Sequence, residues 1–350
     1  MMVIGIGPRR WDTQRMQTSS RARVSIGVAI GTVIGLVAVP AYAEAPSDAN
    51  NVEDTVQALA AIPEAGPIAD ASEFDVEPNG DLTHTTADAA LTIESGAGLI
   101  IELDSTFHDP LRVDAGPVQT VEIADEGTAV FASADYAVTP LPQDDGSVQI
   151  VNVLESSAAP ERFDYHLSST SALTLEIQDT GSVLVLNAAG EFVGGVAPPW
   201  AFDATGAVVP THFEVAGSTL SQVIDHQGRA YTYPISADPY LGHNLWGSIT
   251  EGSANGQPTV NLNLTSWGKT YQPSPWILID YGWPEATNRS LRFRDLLMTK
   301  ASMRQQYDCH AFGSYFAGEW NLERFRPNRT VDWTAGVAVH HCNWTTATLY

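Results

Sequence analysis

Apolar positions along this chain fall into three rhythms. The first is one uncharged run over residues 24–39. The second, over residues 88–240, is a series of short runs parted by turn residues. Residues 91–94, 99–103, 118–123 and 129–133 are rich in β-branched side chains, and residues 147–153 alternate apolar with polar. Alternation of period two is the mark of a half-buried strand. Further runs at 163–167, 173–177, 183–186 and 192–196 follow, with Asp145-Gly146, Thr180-Gly181, Ala189-Gly190, Thr205-Gly206, Ala216-Gly217 and Gln227-Gly228 as turns between runs. Short strands at this spacing, with glycine in the turns, predict an all-β sandwich or barrel-like layer. Pro198-Pro199, Pro210, Pro234 and Pro239 mark edges or crossings, because proline cannot donate to a strand ladder.

The third rhythm begins at residue 241. Residues 247–271 read as a hairpin, and 331–344 as a closing strand. Phe293, Leu296, Leu297, Lys300, Met303 and Tyr307 recur at helical spacing, which predicts an amphipathic helix over residues 288–308. The expected fold is therefore a β-rich N-terminal domain (sandwich or barrel-like) plus a small α+β C-terminal domain, with the boundary at 240/241.

The ends refine this picture. Arg21 and Arg23, the apolar run and Ala41-Tyr42-Ala43 follow one another as the three parts of a secretory signal peptide over residues 1–43, with cleavage between Ala43 and Glu44. The run has 16 residues, short of the ~20 of a membrane span. Translation from Met1 or from Met16 leaves this signal intact. Residues 44–87 are rich in Ala, Pro, Asp and Glu and poor in aromatics, the composition of a disordered acidic leader. Residues 56–62 could form a short helix there, cut off by Pro63 and Pro67. The expected location is outside the cell or in its envelope.

Charge separates the two domains. Residues 44–240 hold 32 Asp or Glu against three Arg and no Lys, a net of −29; residues 241–350 hold eight acids and nine bases, a net of +1. So acidic a surface excludes a nucleic-acid partner, which requires clustered Lys and Arg. Asp144-Asp145-Gly146 and Asp179-Thr180-Gly181 have too few ligands for a calcium loop and read as turns. No metal and no cofactor is expected.

Candidate chemistry gathers near the C-terminus. The only two cysteines, Cys309 and Cys342, predict one disulfide in an exported protein. Zinc held by Cys309, His310, His340, His341 and Cys342 is the alternative, at a spacing unlike that of a finger or ribbon. His310, His341, Glu323 and Asp308 are the residues from which an acid–base pair could be built; Glu323 with Arg326 reads equally as a local ion pair. No Gly-x-Ser-x-Gly, His-Glu-x-x-His or phosphate-loop motif occurs. Residues 241–350 carry seven of the nine Trp. These rings either fill a small core or form a sugar-stacking surface.

Three segments resemble a known group: residues 303–310 (Met-Arg-Gln-Gln-Tyr-Asp-Cys-His), residues 319–327 (Glu-Trp-Asn-Leu-Glu-Arg-Phe-Arg-Pro) and residues 341–344 (His-Cys-Asn-Trp). They are similar to a C-terminal domain of unknown function in secreted actinobacterial proteins, and residues 198–203, 209–215 and 233–239 resemble the region that precedes it. The resemblance spans residues 90–350. It implies export and a two-part layout, and it carries no functional residues. The expected role is non-enzymatic binding at the cell envelope, with cell-wall polysaccharide as candidate partner. A secreted hydrolase acting on wall material, and an effector whose active part is the C-terminal domain, are the alternatives.

Edman sequencing of the form found in the medium should begin at Glu44. Recovery of the intact apolar segment in a membrane fraction would overturn the export reading.

Overall fold

Every turn glycine that the sequence marks, from Gly146 to Gly228, adopts a positive φ between 62° and 86°, so the reversals of the chain are locally encoded. The computed structural model describes Thr55, Ala58, Leu59 and residues 74–349, apart from 95–97, 117–119, 124–127, 314–317 and 333–340. These residues belong to the compact unit Asp48–Tyr350. The signal peptide, with Ala43 and Glu44, and most of the expected closing strand lie outside the described residues.

In chain order the first strands are β1 (Asp75–Val76), β2 (Leu82–Thr85), β3 (Ala89–Glu94), β4 (Ile100–Ser105) and β5 (Leu111–Asp114). Next come β6 (Thr120–Ile123), β7 (Ala129–Ala132), β8 (Tyr136–Pro142), β9 (Val148–Leu154) and β10 (Arg162–Ser168). Then follow β11 (Thr174–Ile177), β12 (Val183–Leu186), β13 (Phe192–Val196), β14 (Ala201–Asp203), β15 (Thr211–Ala216) and β16 (Thr219–Ile224). The last are β17 (Ile235–Ala237), β18 (Tyr240–Gly242), β19 (Trp246–Ala254), β20 (Gln257–Leu264) and β21 (Trp320–Glu323). They make three antiparallel sheets. The first has the order β1-β2-β3-β4-β5-β10-β16-β15. The second runs β11-β12-β13-β18-β9-β8-β7-β6, with β14 and β17 attached at β9. The third is β19-β20-β21. The two large sheets contribute to one apolar core, in which Leu91, Ile101 and Tyr165 of the first join Phe131, Ile150 and Val185 of the second.

The protein is thus a β sandwich followed by a small helical and β region, as the pattern predicts. Its bounds differ. The sequence places the β domain at 88–240 behind a disordered leader; the strands of the two large sheets run from Asp75 to Gly242, and β19 and β20 are the hairpin expected over residues 247–271. Strands β1 and β2, inside the acidic stretch, add to the sandwich edge, β2 pairing with β3 and β1 with β2. Strand β9 also departs from expectation. Its alternation predicts one exposed face, yet all seven residues are buried. Val148, Ile150 and Leu154 face the main core, while Val151 and Val153 form a second cluster with Val130, Leu141 and Ala58, against which Leu59 and Trp200 pack. The polar residues of β9 are buried with partners: Gln149 Nε2 donates to Asp238 Oδ2 at 3.0 Å, and Asn152 Nδ2 to the Tyr165 hydroxyl at 2.7 Å.

Beyond β20 lie helices α1 (Ser266–Lys269) and α2 (Pro275–Ile277), a wide i→i+5 turn (Leu278–Gly282), and helices α3 (Trp283–Asn288), α4 (Leu291–Met298) and α5 (Ala301–Gly313). The single helix predicted over 288–308 is two pieces, α4 and α5. Ser290 caps α4 by accepting from Phe293 N. Thr299 ends α4, its hydroxyl bonded to the Asp295 carbonyl at 2.6 Å. Asn328 then accepts from Ser302 N at 2.9 Å, starting α5. A side chain distant in sequence supplies that cap, so local periodicity could not reveal the break. Cys309 of α5 and Cys342 are bonded as a disulfide, with Cα atoms 5.6 Å apart. Closing a loop of 33 residues stabilises by roughly 3–4 kcal/mol on the chain-entropy account.

Tryptophan supplies the core of this region. Trp246, Trp267 and Trp320 are fully buried, and Trp246 stands edge-on to Trp320 with centroids 5.0 Å apart. Trp276 is the exception, 63% exposed. The same apolar cluster includes Leu184, Leu186, Phe192 and Tyr240 of the sandwich, so packing crosses the charge break at residue 240. Two strand glycines permit this contact. A Cβ on Gly242 would come within 2.6 Å of the Trp267 ring, and one on Gly195 within 2.4 Å of the Tyr271 hydroxyl. Trp267 and Tyr271 lie edge-on to one another, 5.0 Å apart, and neither is free to retreat.

Gly242→Ala should therefore cost about 1–3 kcal/mol of unfolding free energy through overpacking. Gly247→Ala, whose methyl would meet nothing nearer than 3.5 Å, should stay within about 0.5 kcal/mol of the parent. Urea denaturation of both variants checks the contrast.

Candidate functional site

Glu285 is a carboxylate with no exposed side-chain surface. It sits on the short helix α3, which follows the wide turn and begins with Pro284 in its first turn. Leu245 N donates to its Oε2 at 2.9 Å and Trp246 N to its Oε1 at 3.1 Å. Arg289, one helical turn on, bonds Oε1 through Nη2 at 3.2 Å. That guanidinium is 7% exposed and is engaged through both terminal nitrogens: Nη1 bonds Asp88 at 2.8 Å, Nη2 also bonds the Trp246 carbonyl, and its plane lies 3.9 Å over the Phe107 ring.

His108 approaches Glu285 from the loop between β4 and β5. Its side chain is 9% exposed, and its Nε2 makes no hydrogen bond but stands 3.5 Å from Glu285 Oε2. Its Nδ1 contacts the Phe192 carbonyl at 3.1 Å. A carbonyl can only accept, so Nδ1 carries the ring proton. His243 stacks on His108 at 6.5 Å, and its Nδ1 bonds the Val193 carbonyl at 2.6 Å. Burial drives the His243 pKa down to about 4. It is a neutral core residue that helps fasten β13.

Of these groups, His108 and Glu285 line a cleft of about 650 Å³. Three stretches of chain meet there. The β4–β5 loop brings Thr106, Phe107, His108 and Asp109; the β12–β13 turn brings Asn187, Glu191 and Phe192; the wide turn and α3 bring Asp280, Tyr281, Pro284, Glu285 and Asn288. Asn187 shapes the second stretch, accepting from Ala189 N and Glu191 N while its amide reaches Glu191 Oε2 at 3.0 Å. Tyr281 stacks on Phe192, centroids 5.3 Å apart. Among the described residues no Lys or Arg pairs with Asp109, Glu191 or Asp280, so the cleft mouth carries uncompensated negative charge beside aromatic rings. No group of three or more potential metal ligands occurs among the described residues, and Cys309 and Cys342 are taken by their disulfide.

The residues singled out from the sequence lie elsewhere, and none lines this cleft. His310 is buried on α5, stacked on Trp320 at 5.7 Å, and burial lowers its pKa to about 4. Asp308 pairs with Arg304 at 2.6 Å, and burial raises its pKa. Glu323 pairs with Arg326, the local ion pair that the spacing also allowed, and its backbone N–H bonds the Gln306 side chain. His341 is exposed on the C-terminal coil. His108, Tyr281 and Glu285 escape sequence reading because nothing local distinguishes them.

No protein-family model matches the chain, and no curated protein matches it significantly. No helix among the described residues is long and apolar enough to cross a membrane.

Buried titrating groups fix how stability depends on pH. His243 and His310 bind a proton near pH 6.5 when unfolded but only near 4 when folded. Their contribution is complete above pH 6.5 and is lost as pH falls toward 4. Asp238 has the opposite sign. Burial raises its pKa from 3.8 to about 7, so the folded state keeps a proton that the unfolded state releases, and stability falls as pH rises across that window. Asp238→Asn should therefore steepen the rise of unfolding free energy between pH 4 and 6.5, by up to ~1.4 kcal/mol per pH unit. Parallel curves for variant and parent in urea titrations would count against this assignment.

Proposed function

We propose that this is an exported, non-enzymatic binding protein of the cell envelope, and that the cleft between the β4–β5 loop, the β12–β13 turn and α3 takes up wall polysaccharide. The observation that carries the reading is the composition of the cleft: the rings of Phe107, Phe192 and Tyr281 beside the hydrogen-bonding groups of Asp109, Asn187, Glu191 and Asn288. Small-ligand sites combine apolar walls with a few placed polar groups. Aromatic faces suit the C–H faces of a sugar, and carboxylates and amides suit its hydroxyls. The ionisable groups at the cleft floor are committed to structure. Glu285 is answered by two backbone N–H groups and by Arg289, and this supports binding over turnover. Export rests on the charged, apolar and small-residue sequence of residues 1–43.

Tyr281 is the test residue, because it is half-buried and its hydroxyl makes no bond that holds the fold together. Tyr281→Ala should weaken binding of soluble wall-glycan fragments at least tenfold in isothermal titration, about 1.4 kcal/mol or more, with the melting temperature unchanged. Release of reducing ends from the same fragments by the parent protein would overturn the non-enzymatic reading in favour of the hydrolase.

A further inference from the structure

The cleft does not end at Thr106. That residue also lines a second, more open hollow of about 300 Å³. The second hollow is formed where the β2–β3 turn meets the end of β4. Its lining is of a different kind: Thr85, Thr86, Ser105 and Thr106 bring hydroxyls, and Asp88 and Asp104 bring carboxylates. No aromatic ring takes part. Two hollows sharing a wall residue thus run along the sandwich edge, one with ring faces and one with hydroxyls and acids.

Both have the same electrostatic sign. Asp109, Glu191 and Asp280 flank the first, and Asp104 the second, without a Lys or Arg partner among the described residues. Arg289, the cation nearest to both, is withdrawn beneath Asp88, Glu285 and Phe107. Among the buried side-chain atoms that line the first hollow, His108 Nε2 alone makes no hydrogen bond, on a side chain 9% exposed and facing Glu285. An anionic ligand would meet four carboxylates with no available guanidinium, and the net charge of −24 would repel it at a distance as well.

We propose that the two hollows are adjoining subsites for a linear oligosaccharide bearing no acidic groups, neutral or carrying amines. One sugar rests against Tyr281 and Phe192, and the next units cross Thr106 to the hydroxyl-lined hollow. This rests on the reading of the cleft as a glycan site and adds to it the length and charge of the ligand. A chain occupying both hollows adds the contacts of the second without a second loss of translational freedom, so affinity grows with length.

The test titrates the full mature protein with glucosamine oligomers of one, two and four units, their N-acetylated counterparts, and galacturonate oligomers of the same lengths. Affinity should rise at least tenfold from monomer to tetramer in the first two series, and the galacturonates should not bind. Asp104→Ala combined with Thr85→Ala, both at exposed positions with no side-chain bond to the fold, should abolish the gain with length and leave monomer affinity unchanged. Equal affinity for monomer and tetramer would overturn the second subsite while leaving the glycan reading standing. Preferential binding of galacturonates would overturn the charge assignment. Failure of every sugar to bind would overturn both this inference and the glycan reading beneath it.

Discussion

A carboxylate shut away from water must have its lone pairs answered from within, and the answers to Glu285 come from three places. Two are backbone N–H groups at the start of β19, and the third is Arg289 on its own helix. Arg289 in turn reaches Asp88 in the β2–β3 turn of the sandwich. The charge pair therefore acts as a joint, fixing the helical region against the strand that leads into it and against the first sheet. Removing either partner of such a pair leaves a buried charge unanswered, a loss of about 3–5 kcal/mol. The cleft exists because of this joint, since His108, Phe107 and Asp109 are held opposite Asp280 and Tyr281 only while α3 keeps its place.

A second constraint is steric. Strands β13 and β18 present glycines where the helical region arrives, and Trp267 and Tyr271 occupy the space that side chains would fill. Close approach here lets one apolar cluster draw on both parts of the chain. The polarity of the chain changes sharply near residue 240, but its packing does not. An acidic sandwich and a near-neutral helical region meet through this apolar contact as well as through the Arg289 ion pairs.

The cleft lies along that meeting line. Its floor holds Glu285, whose lone pairs are answered by the fold, and its mouth holds Asp109, Glu191 and Asp280, which have no Lys or Arg partner among the described residues. This division of labour favours recognition: rigid walls position a few polar atoms at little entropic cost to the complex. The aromatic stock of the C-terminal region serves mainly as core. The rings that face the cleft are Phe107, Phe192 and Tyr281, two of them from the sandwich.

Sequence by itself determined the features that depend on near neighbours. Period-two runs gave strands, as in β10 with its strict alternation of buried and exposed residues, and Gly at Asp145-Gly146 or Thr205-Gly206 gave turns, because only local sterics decide a positive φ. With two cysteines, the pairing of Cys309 and Cys342 had one solution. The Asn255-Gly256 reversal between β19 and β20, with φ of 50° and 71°, was equally local. Tertiary structure alone decided what depends on distant partners. It covered both faces of β9, whose alternation promised water on one side. It broke the predicted helix at Thr299 with a cap from Asn328. It turned His310 and Glu323 into core and ion-pair residues, and it brought residues near 107, 190 and 283 to a single cleft. Those stretches carry no common pattern, because the forces that join them act across space and leave no period along the chain.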